Sequence, residues 1–163
     1  MKPPDAAHAR LQVQVVRAGR AWAPAVADIR AWASAALGRR ATGAELAVRV
    51  VAPAESKRLN ARYRGRDRAT NVLSFPVPAL PAVSRRRPAP RPLGDLVICA
   101  RVVRDEARQQ HKTIKAHWAH LVIHGALHLL GYDHEHDAEA RRMERREVAV
   151  LKRFGIANPY RSM

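Results

Sequence analysis

His124-Gly125-Ala126-Leu127-His128-Leu129-Leu130-Gly131-Tyr132-Asp133-His134 is the stretch on which the reading of this chain turns. Residues four apart lie one turn apart on the same face of an α-helix, so His124 and His128 aim their rings at one point. Gly131 suits the end of such a helix, because glycine enters the left-handed conformation without a Cβ clash. The turn then returns His134 toward the same point. Three converging imidazoles with a fourth position for water or substrate form the donor set of a catalytic zinc site. The spacing H-x3-H-x2-G-x2-H matches the metzincin pattern in its ligands and its glycine. It departs where that pattern places the glutamate base, a position held here by Gly125. The ligands point to metal-assisted hydrolysis; the missing glutamate points away from peptides as substrate.

Working outward, His117, His120, His124 and His128 fall on one helical face, with Trp118, Leu121, Val122 and Leu129 on the other for packing. This predicts a helix over about 113–130. His120 sits a turn above the ligand pair, where it would line the substrate cleft or hydrogen-bond within the core. His136 competes with His134 as third ligand, and the glycine spacing favours His134. A further helix is expected over about 138–154, capped by Asp137, and another over 101–110. Upstream, 11–15, 45–52, 71–75 and 93–100 read as strands, with Pro76 stopping the third. Helices are expected from Pro24 to about Leu37 and from Pro53 to Tyr63. Early strands and late helices predict an α+β fold: a small mixed sheet of about four strands covered by about five helices, one of them the metzincin-like zinc helix. Residues 1–163 read as a single domain, with a flexible Pro/Arg-rich loop at 77–92 carrying Arg85-Arg86-Arg87.

Thirty basic residues against 14 acidic ones give a net charge of +16 and a sequence pI of about 11.5. Such a field attracts polyanions, above all nucleic acid. Composition bias toward arginine explains the Arg-for-Lys usage better than the size of the excess. No apolar run reaches the ~18 residues of a membrane span. Residues 1–10 lack the apolar core of a secretory signal. The single cysteine, Cys99, lies in an apolar run and reads as a buried structural thiol, which suits a reducing, cytoplasmic setting.

A second cluster, Leu59 to Pro76, packs Arg62, Arg64, Arg66 and Arg68 around Gly65. Arginine forks bind phosphate oxygens bidentately and stabilise charge that develops in a phosphoryl transition state. The block L-N-x-x-Y-R-G-x-D-x-x-T-N-V-L-S-F-P, with Gly94 to Cys99 and Ala116 to His134, resembles the YbeY family of bacterial rRNA-maturation endoribonucleases. The resemblance spans most of residues 45–155 and leaves the first forty residues and the 77–92 loop largely outside it. It implies a small α+β metalloprotein with one zinc ion on His124, His128 and His134. It also implies single-strand endoribonuclease activity in 16S rRNA 3′-end maturation and ribosome quality control. The partners would be rRNA, the small ribosomal subunit and ribosome-associated proteins, with no membrane. By position, the family's functional arginine falls on Arg64 as a catalytic group, and Arg66 is a neighbouring RNA contact.

Two other readings compete with it. A metalloprotease has the ligands but not the base. A non-catalytic assembly factor would hold a structural zinc, which needs a fourth protein ligand; none has suitable spacing, with Asp133 and His136 the nearest candidates. The general base, and the choice between water and the RNA 2′-hydroxyl as nucleophile, are open at this level.

Overall fold

The computed structural model describes residues 10–77, 90–133 and 135–161. Four strands, β1 (Gln12–Arg17), β2 (Ala44–Val51), β3 (Val72–Pro76) and β4 (Arg91–Cys99), form one sheet in the order β1-β2-β4-β3. The first three in that order run parallel, and β3 pairs antiparallel to β4. Side chains alternate across a strand, so this sheet makes two cores of unequal size. Leu46, Val48 and Val50 join Leu96 and Ile98 in the larger one, under α1 (Val26–Leu37), α4 (Ile114–Leu129) and α5 (Asp137–Arg153). Trp118, Leu127, Met143 and Leu151 are fully buried there. Val51, Leu73, Val97 and Cys99 form the smaller core, packed by Leu59 of α2 (Pro53–Arg64) and by Phe75. The fifth helix, α3 (Ala100–Gln109), follows β4 without a loop.

Among the described residues, the expected α+β architecture with a mixed four-stranded sheet and five α-helices is therefore observed. Cys99 is buried, as expected. Three boundaries differ for physical reasons. Pro76 is the last residue of β3 rather than a stop before it, because β3 is an edge strand of the described sheet, where a missing N–H is tolerated. β4 starts at Arg91, two residues before the expected Leu93, where the Arg91 N–H donates to the Gly43 carbonyl at 2.8 Å. Asp137 is the first helical residue of α5 and His136 takes the capping position, with no side-chain cap bond. Asp137 instead places its charge in the first turn, against the helix dipole. Residues 78–89, with the Arg85-Arg86-Arg87 run, lie outside the described residues. Among the described residues, no helix is long and apolar enough to cross a membrane.

Candidate metal centre

Thr113 starts α4, its hydroxyl accepting from the Ala116 N–H at 3.1 Å. The helix then lies hard against the sheet. A Cβ at position 125 would sit 2.8 Å from Leu96 Cδ2 and 3.3 Å from Ser74 Oγ. Ser74 Oγ also donates to the Gly125 carbonyl at 3.2 Å. Position 125 thus faces the strands, and any side chain there would press on buried Leu96. The metzincin glutamate has no room here.

On the other side of α4, the Nε2 atoms of His124 and His128 stand 3.1 Å apart. Each ring is fixed from behind. The Nδ1–H of His128 donates to the Tyr132 carbonyl at 2.9 Å, and that of His124 donates to the Glu147 carboxylate. Carbonyl and carboxylate only accept, so both Nδ1 atoms carry hydrogens, which leaves each Nε2 as the atom that can serve a metal ion. Two ligands of a tetrahedral zinc ion, with bonds of about 2.0–2.1 Å, stand roughly 3.3 Å apart. The pair fits a metal ion. The turn that secures His128 depends on Gly131, at φ 96°, which lets the Tyr132 N–H reach the Leu127 carbonyl at 3.2 Å.

Glu147 of α5 is 0% exposed. Besides His124 it accepts from His120 Nε2 at 3.1 Å and from the Tyr160 hydroxyl. His120, His124 and Glu147 each place one ligating atom within 4.8 Å of the others, a second grouping able to hold a cation. Its carboxylate, however, already accepts from three donors. Burial alone would raise the Glu147 carboxyl, but the bonds from His120, His124 and Tyr160 outweigh it and hold the group at about 2. Burial also keeps His120 below the ordinary imidazole range, outweighing the carboxylate beside it. Burial and then the same carboxylate push the Tyr160 phenol up. An ionised glutamate orienting a ligating imidazole is the carboxylate–histidine–metal arrangement.

The arginine cluster lies at the end of α2. Gly65 ends that helix at φ 68°, its N–H donating to the Ala61 carbonyl at 3.1 Å. The loop that follows is tied down from below. Buried Ser56 exchanges bonds with the backbone of Thr70 at 2.9 and 3.0 Å, and buried Asn60 donates to the Arg68 carbonyl at 2.8 Å. At the start of β3, the Asn71 amide donates to Glu106 at 3.0 Å, and His117 Nε2 meets the same carboxylate at 3.0 Å. Arg64, the last residue of α2, and Arg66 on this pinned loop are both exposed.

A family profile described as Endoribonuclease YbeY matches residues 20–155. The Endoribonuclease YbeY of Alkalilimnicola ehrlichii is 57% identical over 159 residues, covering 96% of this chain and 94% of the relative. The chain belongs to the YbeY endoribonuclease family. A solution structure of a Thermotoga maritima protein superposes with a TM-score of 0.54 at 22% identity, covering 93% of this chain and 96% of that one, and shares the fold.

Of the residues expected from the YbeY resemblance, His124 and His128 bring their Nε2 atoms 3.1 Å apart. His134 lies outside the described residues. Among the described residues, neither Arg64 nor Arg66 has a side-chain hydrogen bond to the histidines. His120 turns its Nε2 to Glu147 and Tyr160, so it has the hydrogen-bonding role rather than a free place in the cleft. His136 is exposed at the start of α5. Sequence reasoning missed Glu147, Tyr160, Ser56, Asn60 and Asn71. Glu147 did leave a signal: it shares the buried face of α5 with Met143, Val150 and Leu151, where a carboxylate needs a buried partner.

Proposed function

We propose that this YbeY-family chain is a zinc-dependent endoribonuclease that cuts single-stranded RNA. Its metal ligands are His124, His128 and His134, and its substrate is the 3′ end of small-subunit rRNA during maturation and ribosome quality control. The observation that carries the reading is the pair of Nε2 atoms 3.1 Å apart, each backed by an acceptor at Nδ1. A divalent cation held there supplies Lewis-acid polarisation of a phosphoryl oxygen and acidifies a water molecule. Arg64 neutralises charge that builds on the phosphoryl oxygens, and its removal costs about 3 kcal/mol of transition-state stabilisation, by analogy with losing one oxyanion donor. Arg66 holds a neighbouring phosphate. Glu147 is not the base, since it is buried and already accepts from three donors.

The RNA 2′-hydroxyl can then be the nucleophile. Its oxygen bonds to phosphorus as the bond to the 5′-oxygen breaks, the 2′ proton leaves to solvent, and the 5′-oxygen gains a proton. The product ends would be a 2′,3′-cyclic phosphate and a 5′-hydroxyl. Direct attack by water would give no cyclic phosphate.

The test is cleavage of a single-stranded RNA spanning the 3′ end of small-subunit rRNA by the wild-type protein and by His128→Ala prepared in parallel. Cleavage lost in the variant, with ends identified by mass spectrometry, supports the reading. Equal cleavage by both, or none by either, overturns it and leaves a non-catalytic assembly factor. The protease reading has no support in the geometry, because position 125 has no space for its base.

A further inference from the structure

We infer that Tyr63 is a stacking platform on which an unpaired base of the bound strand rests. The inference builds on the single-strand reading above and goes beyond it to a base-recognition site. Tyr63, next to last in α2, is 56% exposed, an unusual setting for so large a ring beside a packed core. The ring is nevertheless held in place. Phe75 of β3 meets it edge to face with centroids 5.1 Å apart at 71°, and the Arg62 guanidinium lies 5.4 Å from its centroid.

Its surroundings suit a polyanion. Arg62, Arg64, Arg66 and Arg68 have no carboxylate within ion-pair distance among the described residues, and the one acid between them, Asp67, is 3.9 Å from Lys57. Proteins that bind single strands combine a cationic track for phosphates with aromatic faces for bases. Tyr63 supplies the second of these within the first.

Its position relative to the metal pair follows from the sheet. Ser74 turns toward α4, so its neighbour Phe75 turns to the opposite face, where Tyr63 meets it. At the same strand end, a Cβ on Gly94 would lie 2.3 Å from the Phe75 carbonyl oxygen and 2.9 Å from Leu129 Cδ2. Leu129 is the residue after His128. The end of edge strand β3 therefore has Tyr63 on one face and the last turn of the metal helix on the other. A strand crossing that edge meets both.

Binding is read by fluorescence anisotropy with a labelled 2′-O-methyl single strand, which cannot form a cyclic phosphate, and with an abasic strand of equal length. Tyr63→Leu keeps the apolar cover over Phe75 and removes the π face. It should weaken binding to the base-bearing strand about 10- to 100-fold, while Tyr63→Phe and Tyr63→Trp retain it. The abasic strand should bind wild-type protein more weakly and should not distinguish wild type from Tyr63→Leu. The salt slope should be the same in wild type and Tyr63→Leu, because stacking releases no counterions. Unchanged binding in Tyr63→Leu, or an equal loss on both strands, overturns the platform. Wild-type protein that binds neither strand overturns the single-strand reading and the platform with it; wild-type binding unaffected by Tyr63→Leu overturns the platform alone.

Discussion

A carboxylate withdrawn from water stays ionised only if donors replace its hydration, and Glu147 has three: His120, His124 and Tyr160. The bond to His124 fixes which nitrogen of that ring carries the hydrogen, and so which one is left for a metal. In Glu147→Gln one acceptor oxygen becomes an NH2 group, which no longer accepts from a histidine N–H. Zinc affinity, measured by competition with a chromogenic chelator, should fall about 10- to 100-fold. Unchanged affinity would mean that helix packing alone orients His124. At Gly125 the argument is steric. Gly125→Glu would drive a charged side chain against Leu96 and Ser74. It should lower stability by more than about 3 kcal/mol in urea unfolding and produce no peptidase activity on casein. A soluble Gly125→Glu protein of wild-type stability would refute the close approach of α4 to the sheet.

At the level of elements, α4 was legible because its histidines share a face and its apolar residues share the other. Its cap is worth a separate test. Thr113→Ala removes the acceptor for the Ala116 N–H and should cost about 1 kcal/mol by denaturant titration. Zinc affinity should not change, since His124 and His128 lie beyond the first turn. The first strand was legible from period-two alternation, and β4 from its apolar run Leu96–Cys99. Polar ties between distant elements were not. Nothing local in Asn71 announces that it will bond Glu106, because that pairing exists only once β3, α3 and α4 have met. The same holds for Ser56 and Asn60, which support the arginine loop from inside α2, and for Tyr160, which reaches Glu147 from beyond the last helix. Of the candidate site, sequence spacing yields the histidine pair, while most of the groups that orient it emerge only from tertiary contact.

The junction at Glu106 ties the pH response to the architecture. Burial tends to raise this carboxyl, but bonds from His117 and Asn71 outweigh it and hold it below the ordinary glutamate range. A folded-state value below the unfolded one means that the stabilisation is complete above the unfolded pKa, about 4.5. It is lost as pH falls through the folded value. Urea midpoints taken downward from pH 6 should therefore fall faster for wild type than for Glu106→Gln, the gap between them narrowing below about pH 4.5. Parallel curves would mean that the carboxylate has no net preference for the folded state.

For the whole molecule, a net charge of +16 raises the question of whether RNA affinity comes from a diffuse field or from particular contacts. The two differ in their salt dependence. Exposed charges farther from a phosphate than about 8 Å are screened at physiological ionic strength and mainly influence the rate of encounter. A side chain that touches a phosphate releases a counterion and contributes to the log–log slope of affinity against salt. Arg64→Ala and Arg66→Ala should each reduce that slope by about 0.7 on a single strand. Lys115, 3.7 Å from Asp28 on α1, is the control: it removes the same charge from a site already paired within the protein. Lys115→Ala should leave the slope unchanged. If all three variants shift it alike, the arginine loop acts only through total charge, and the catalytic and RNA-contact roles of Arg64 and Arg66 fall together.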